Sequence, residues 1–179
     1  SATPDDYILA KQIDVCYKCF AQSINHKIFA LVDLAADQSL DTLRQAKGGF
    51  RGNAIALDPP AAAAAYMKTH GDSGILHKEL GDYYYDVPLR YSGRWLVSDD
   101  AVRQQAVKEY TAGIQKGFAD SAAYSKLGEM ELALGQPDDA IGSFKGAIAM
   151  SPADPNHHYN LAIAFQSSNK FSLALPEII

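Results

Sequence analysis

The chain has 179 residues, 47% of them hydrophobic, and a formal net charge of −5 at pH 7. A chain of this length is typical of one domain or one short array, and no apolar run approaches the ~18–20 residues that a membrane span needs. The sequence has no basic stripe, so neither nucleic acid nor an acidic membrane is expected as a partner, and membrane insertion is not predicted.

Residues 1–73 are predicted to form an N-terminal helical segment of irregular pattern. Residues 3–6 combine a capping Thr, a Pro at the first helical position and acids in the first turn. A shorter helix is predicted over residues 61–68, before Gly71. Residues 54–59 are similar to the end of the repeat described below, which suggests a degenerate repeat in this segment.

Cys16 and Cys19 form a C-x-x-C pair in the first predicted helix. Three interpretations are open: structural thiols, a disulfide within the helix, or metal or redox chemistry. A redox pair of this kind opens a helix, whose N-terminus lowers the pKa of the first thiol, whereas this pair lies more than two turns inside. No second C-x-x-C completes a zinc site, so we favour structural thiols. A thiol-dependent redox enzyme or redox partner is the alternative function.

Residues 71–74 resemble the Gly-Asp-Ser-Gly motif around the nucleophile of trypsin-like proteases. The resemblance covers these four residues alone, and that fold is all-β. They fit better as the end of one helix and the cap of the next. The sequence has no H-E-x-x-H, P-loop or dinucleotide fingerprint, so no enzyme activity, metal site or cofactor is predicted.

The strongest regularity is a set of residues that returns after 34 positions. The first unit contains Tyr124, Leu127, Gly128, Ala140, Phe144, Ala147 and Pro152, and the second contains His158, Leu161, Ala162, Ala174 and Ile178. Gly135 and Pro137 break the first unit into two helices. A fixed period of this length predicts stacked helix pairs.

These residues resemble the tetratricopeptide repeat, whose pattern is W-x2-L-G-x2-Y, then A-x3-F, then A and P. Tyr124 and His158 stand in place of the Trp, and Glu131 departs from the Tyr. The resemblance implies an all-α fold of antiparallel helix-pair repeats, an α-solenoid. It also implies a non-enzymatic scaffold or adaptor whose partner is a protein or peptide.

A further unit is predicted upstream, with His77, Leu80 and Gly81 in its first helix and Ala106 in its second. Its helices are separated by 13 more residues than those of the next unit. We therefore predict an insertion at about residues 87–98, where Pro88 is expected to end the first helix. The predicted units are 74–120, 121–154 and 155–179, of which the last is incomplete.

The C-terminal unit leaves Leu173, Leu175 and Ile178 without an apolar cover. Terminal repeats normally present a polar outer face, so we expect either that the natural protein continues or that another chain covers this end. A self-assembling structural module, a homo-oligomer through the C-terminal repeat, is therefore a further alternative. The chain begins at Ser1, so both a cytoplasmic and a periplasmic or secreted location stay open.

The resemblance implies a concave groove lined by the first helix of each pair. The lining positions, counted from the family Leu, are mixed in character. They are Ile75, Lys78, Asp82, Tyr85, Ala122, Ser125, Glu129, Leu132, Asn156, Tyr159, Ile163 and Gln166. Some of these side chains could instead cover neighbours or face solvent. Chaperone-binding members hold a C-terminal carboxylate with a Lys/Asn/Asn/Lys/Arg set, which this chain matches only at Lys78, so that function is not expected.

The predicted insertion is a second candidate surface. It concentrates Arg, Tyr and Trp, the residue types that dominate interface hot spots. These residues are Arg90, Tyr91, Arg94 and Trp95. In the alternative, Trp95 and Leu96 pack back onto the helices and the two Arg side chains stay in solvent.

Overall fold

Helices dominate the computed structural model, which describes residues 2–22, 27–28, 32–33, 59–91 and 98–177. The helices of this part of the chain are α1 (Pro4–Gln22), α2 (Pro59–His70), α3 (Gly74–Tyr91), α4 (Asp99–Gln115), α5 (Ser121–Ala133), α6 (Pro137–Met150), α7 (Pro155–Ser167) and α8 (Phe171–Ala174), followed by a 3₁₀ turn at Leu175–Glu177. The all-α class and the predicted antiparallel helix pairs are confirmed.

The N-terminal segment contains one feature that the sequence pattern did not predict. Lys27–Ile28 (β1) pairs with Val32–Asp33 (β2) in an antiparallel ladder, where we expected only helix. Strands of two residues are too short to produce a period-2 alternation, so the pattern gives no sign of them. Residues 54–58, which carry most of the proposed degenerate repeat, lie outside the described residues.

Helix α1 begins as its sequence predicts, with a reciprocal cap. Thr3 Oγ1 accepts a hydrogen bond from the Asp6 amide at 3.3 Å, and Asp6 Oδ2 accepts one from the Thr3 amide at 2.9 Å. The buried Asp6 carboxylate also accepts from the Tyr66 hydroxyl at 2.8 Å and the Ser73 hydroxyl at 3.0 Å. One carboxylate therefore both caps α1 and joins it to α2 and to the turn before α3.

The repeats are built from consecutive helix pairs. Helix α3 packs against α4, α5 against α6, and α7 against α8, while α4 contacts α5 and α6 contacts α7. The recurrent alanines Ala106, Ala140 and Ala174 are all buried at these contacts. The turn between α5 and α6 passes through Gly135 at φ 73°, a conformation that favours Gly.

A glycine of the first helix faces an aromatic ring of the second in two of the pairs. A Cβ on Gly81 would lie 2.6 Å from Tyr110 Cδ1, and a Cβ on Gly128 would lie 2.7 Å from Phe144 Cε1. Both rings are fully buried. Because real Cβ atoms do not approach side-chain carbons this closely, the spacing of these helices requires Gly at both positions.

The core divides into three successive clusters along the array. The N-terminal core contains Ala10, Ile13, Ala63, Leu76, Leu80, Tyr83 and Val102. The middle core contains Ala106, Tyr110, Ala123, Leu127 and Met130. The C-terminal core contains Ala140, Ile141, Phe144, Leu161, Ala162, Ala164, Phe165 and Ala174. This succession of cores is what stacked repeats produce, since each repeat packs on its neighbours.

The predicted end of α3 was wrong. We expected Pro88 to end the helix and an insertion to begin at about residue 87, but α3 continues to Tyr91. A Pro within a helix removes one backbone hydrogen bond and strains one turn, which here does not stop a further turn from forming. The cap predicted for α4 is confirmed, because Ser98 Oγ accepts from the Ala101 amide at 3.2 Å. Residues 92–97 lie outside the described residues.

Glu131 stands where the repeat pattern has a Tyr, and its carboxyl is held between α5 and α6. The residue is 7% exposed, and the Ser143 hydroxyl donates to Glu131 Oε2 at 2.7 Å. Burial raises the pKa of Glu131 to about 7, Ser143 opposes this shift, and the nearby Asp139 adds to it. Because the pKa of Glu131 is higher in the folded protein than its ordinary value, the protonated carboxyl stabilises the fold. This contribution is full below about pH 4.5 and is lost as the pH rises through 7.

We expect Gly128→Ala to destabilise the protein by about 1–3 kcal/mol, because the added methyl group would overlap the Phe144 ring. Gly142 is the matched control: it lies on the exposed side of α6, with open space around it. Gly142→Ala should stabilise the protein by up to about 1 kcal/mol through helix propensity. Urea unfolding followed by circular dichroism gives both values, and equal effects at the two sites would contradict the proposed helix contact.

Candidate functional site

The first helices of the three pairs form one continuous face. Helix α3 contacts α5, and α5 contacts α7, so side chains that are 44 or 31 residues apart in sequence become neighbours. We call this surface, formed by α3, α5 and α7, the first-helix face. It is where the repeat resemblance implies a groove.

Asp82 is the centre of charge on the first-helix face. Its buried carboxylate accepts from Lys78 Nζ at 2.7 Å, from the Tyr110 hydroxyl at 2.8 Å and, in a short contact, from Lys126 Nζ. Burial alone would raise the pKa of Asp82, but the two ammonium groups of Lys126 and Lys78 hold it below its usual value. The carboxylate therefore stays ionised and connects α3, α4 and α5.

Tyr85 and Glu129 form the next contact along the same face. The Tyr85 hydroxyl donates to Glu129 Oε2 in a short hydrogen bond, and Lys126 Nζ lies 5.1 Å from the centre of the Tyr85 ring. Burial and the adjacent Glu129 carboxylate raise the pKa of the Tyr85 hydroxyl. Ser125 Oγ and Asn160 Nδ2 each lie 3.5 Å from Glu129 Oε1, which extends the contacts to α7.

Two lysines, two acids and one tyrosine thus form a connected row across α3 and α5. We call Lys78, Asp82, Tyr85, Lys126 and Glu129 the polar strip. Its formal charges balance, and its side chains are half-buried or buried. The strip can hydrogen-bond a polar ligand, but it presents no surplus charge to attract a strongly ionic one.

An apolar pocket lies at the C-terminal end of the first-helix face, between α7, α8 and the 3₁₀ turn. Its volume is about 310 Å³. It is lined by Tyr159, Ala162, Ile163, Gln166, Phe171, Ala174 and Leu175. Tyr159 is 60% exposed, Phe171 61% and Leu175 63%, so large apolar side chains surround an open depression.

The remaining predicted groove residues are divided between several environments. Ile75 is half-buried and packs against the N-terminal core, and Leu132 packs in the same way against the C-terminal core. Asn156 Nδ2 donates to Asp154 Oδ1 at 3.0 Å at the start of α7. Ala122 is exposed near the start of α5. The structure therefore gathers predicted residues into two separate groups, one in the polar strip and one at the pocket. The four residues described in this paragraph belong to neither group.

The candidate residues of the insertion are only partly described. Arg90 and Tyr91 lie in the last turn of α3, and nothing is described of their side chains. Arg94 and Trp95 lie outside the described residues. Cys16 and Cys19 lie inside α1, well past its first turn as expected, and their side chains are likewise not described.

Several residues of the site were not among the predicted lining positions. Lys126 and Asn160 each precede a repeat leucine by one residue, an offset that the rule for lining positions does not include. Phe171 and Leu175 lie in the second half of the last repeat, where only the apolar run at residues 173–178 suggested an uncovered surface. Within the described ranges, no group of three His, Cys, Asp or Glu side chains is arranged to hold a metal ion. In that same part of the chain, no helix is long and apolar enough to cross a membrane.

Comparison with known proteins supports the assignment of the repeats. The family model described as tetratricopeptide repeat matches residues 103–156 and 125–178. A solved structure of MamA from MSR-1 is 20% identical, with a TM-score of 0.53, over 67% of this chain and 62% of that one. A second, MamA from AMB-1, is 17% identical, with a TM-score of 0.55, over 97% of this chain and 87% of that one. At these identities the likeness concerns the fold. No curated protein matches the sequence.

We expect Asp82→Asn to destabilise the protein by about 1–3 kcal/mol at pH 7, because both lysines lose their buried charged partner. A carboxyl whose pKa is lowered on folding contributes stability above its unfolded pKa, and loses it as the pH falls through the folded pKa. The deficit of the variant should therefore shrink below about pH 4.

The control for this prediction is Asp100→Asn. Asp100 pairs with Arg103 at 2.7 Å on the exposed surface of α4, where a salt bridge contributes about 0–1 kcal/mol. Chemical unfolding at pH 7 and pH 3 measures both variants. A loss for Asp82→Asn that equals the control loss, or that is the same at both pH values, would contradict the role given to Asp82.

Proposed function

We propose that this chain, whose residues 103–178 match the tetratricopeptide repeat model, is a non-enzymatic scaffold that binds a protein segment on the first-helix face. The tetratricopeptide repeat match supports a protein-interaction role in general. The finer proposal concerns where the segment binds and which chemistry it has.

The observation that carries this proposal is the apolar pocket at the C-terminal end of the first-helix face. Tyr159, Phe171 and Leu175 are more than half exposed around it. When a partner covers apolar side chains around a depression, binding is favoured by about 25 cal/mol for each Å² of apolar surface removed from water. A pocket of about 310 Å³ has room for one large side chain.

The charge pattern indicates the character of the occupant. Along α3 and α5, the polar strip offers hydrogen-bonding groups whose formal charges cancel, so a segment of low net charge fits better than a strongly basic or acidic one. We therefore propose a short segment of another protein. It places a bulky apolar residue in the pocket and polar residues along Tyr85, Lys126 and Glu129.

The end of α3 and the segment after it are proposed as a second contact region. Arg90 and Tyr91 lie in the last turn of the helix that carries Tyr85, and Arg94 and Trp95 follow that helix in the sequence. Trp, Tyr and Arg dominate interface hot spots. In this proposal they add contacts to the same bound segment at the edge of the groove.

Self-assembly is the second candidate function, and one observation favours it. Leu173 is exposed beside Phe171 and Leu175, so the C-terminal end presents apolar surface beyond the pocket itself. A second copy of the chain could cover this surface. In that case the apparent mass would rise with protein concentration, and variants of these three residues would abolish the rise.

Peptides selected from a random displayed library provide a direct test. We expect selected peptides to share a bulky apolar residue, and Tyr159→Ala to weaken their binding by at least ~2 kcal/mol, about 30-fold or more. Tyr85→Phe removes the hydroxyl and keeps the ring, and should weaken binding less. Trp95→Ala tests the second contact region. Fluorescence anisotropy measures each affinity, and circular dichroism checks that each variant is folded.

Met150→Ala is the matched control. Met150 is an exposed apolar residue on α6, a second helix, away from the first-helix face, and its loss should leave binding unchanged. If Tyr159→Ala, Tyr85→Phe and Trp95→Ala all bind like the parent, the proposed site is wrong. If light scattering instead finds concentration-dependent assembly that Phe171→Ala, Leu173→Ala or Leu175→Ala abolishes, self-assembly replaces the proposed function.

A further inference from the structure

Two histidines occupy the same position in the first helices of their repeats. His77 lies on α3 and His158 on α7, each three residues before the repeat leucine, where the family pattern has a Trp. The middle repeat has Tyr124 there. In both histidines the two ring nitrogens are hydrogen-bonded, and every partner atom is an oxygen.

His77 joins its first helix to the second helix and to the preceding turn. Nδ1 lies 2.6 Å from Glu109 Oε2 on α4, and Nε2 lies 2.6 Å from Asp72 Oδ1 in the turn before α3. Lys116, the residue directly after α4, contacts the other oxygen of Asp72 at 2.7 Å. Lys108 Nζ lies 4.0 Å from Glu109. The ring is thus held between two carboxylates that have lysines on their outer side.

His158 makes the equivalent connections in the last repeat. Nδ1 lies 2.7 Å from Glu177 Oε2 in the 3₁₀ turn, and Nε2 lies 2.9 Å from the Pro152 carbonyl oxygen in the turn before α7. The adjacent His157 faces a different group, with Nε2 3.5 Å from Asp154 Oδ2. His158 therefore also connects the first helix, the second half of its repeat and the preceding turn.

The partners of these histidines determine their protonation. A neutral imidazole has one N–H donor and one acceptor nitrogen, whereas an imidazolium has two donors. All four partner atoms are oxygens of carboxylates or of a carbonyl, which accept hydrogen bonds. Both contacts of each ring can therefore form only when the ring carries its second proton.

We propose that protonation of His77 and His158 is a pH-dependent latch that holds the first and last repeats closed. The protonated rings fix α3 and α7 to their second helices. Loss of the proton removes one hydrogen bond and the charge attraction from each repeat. Because α3 and α7 line the first-helix face, the latch also tightens the binding site, a consequence that rests on the proposed function.

The electrostatics of both sites agree with this geometry. The hydrogen bond to Glu109 raises the pKa of His77 most, with Asp72 adding to it, and the hydrogen bond to Glu177 does the same for His158. A pKa raised on folding contributes stability that is full below the unfolded value of ~6.5 and is lost as the pH rises through the folded value. Lys116 holds the pKa of Asp72 below its usual range, so that partner stays ionised.

Thermal unfolding at pH 6.0 and pH 8.5 tests the latch, in the Glu131→Gln background. That substitution keeps a hydrogen-bond acceptor for Ser143. It also removes the Glu131 carboxyl, whose pKa of about 7 would add its own pH dependence to the melting temperature. The melting temperature of the Glu131→Gln protein should be lower at pH 8.5 than at pH 6.0. His77→Gln should reduce this difference by about 2–4 °C, the shift that accompanies a loss of one contact in a chain of this size. His158→Gln should reduce it by less, because its ring and its Glu177 partner are more exposed to solvent.

His70→Gln is the control, because His70 is exposed, stacks on Tyr66 of its own helix and joins no repeats. It should leave the pH dependence unchanged. If His77→Gln and His158→Gln behave like His70→Gln, the latch is overturned. If either variant does not fold, NMR titration of the histidine ring protons in the parent protein provides the test instead. Rings that titrate as they do in the urea-unfolded chain would also overturn the latch.

The consequence for binding has its own measurement. A library-selected peptide should bind at least about fivefold more weakly at pH 8.5 than at pH 6.0, and His77→Gln should reduce this ratio. The melting temperatures could change as expected while the affinity does not vary with pH. In that case the histidines stabilise the repeats, and the proposal that they also control binding is wrong. If no peptide contacts the first-helix face at either pH, it is the proposed function that fails.

Discussion

The contact between a glycine and an aromatic ring sets the distance between paired helices, and the rest of the structure depends on it. Gly81 faces Tyr110, and Gly128 faces Phe144, with no room for a Cβ atom at either glycine. The same Tyr110 ring carries its hydroxyl to Asp82, 2.8 Å away on the first helix. Helix packing and the centre of the polar strip are therefore one arrangement, and a wider helix pair would lose both.

The two parts of the first-helix face have different physical roles. The polar strip is already satisfied internally, since Asp82 and Glu129 have partners on neighbouring helices. Such a network stabilises the array and orients α3 and α5, and it offers only its outer hydrogen-bonding capacity to a ligand. The pocket beside Tyr159 has the opposite character, because its apolar side chains remain in water. Binding free energy is thus expected mainly from the pocket, and orientation of the segment mainly from the strip.

The features that the sequence predicts well are local or periodic. The start of α1 at Pro4, the Ser98 cap and the break at Gly135 follow from neighbouring residues, and the buried alanines follow from the 34-residue period. Contacts between distant residues escape such reasoning. The short contact of Lys126 with Asp82 joins residues 44 apart and depends on how two helices meet, which no local pattern encodes. Pro88 misled the prediction because a turn of helix can tolerate one missing hydrogen bond.

In the proposed function, a bound protein segment lies on the first-helix face, with its apolar residue beside Tyr159. Amide NMR shifts of the isotopically labelled protein, recorded as a library-selected peptide is added, test this most directly. We predict the largest changes in α7 and α8, around Tyr159, Ile163 and Phe171, with smaller changes along α3 and α5. Changes confined to the second helices α4 and α6, or to α1 and α2, would contradict the account.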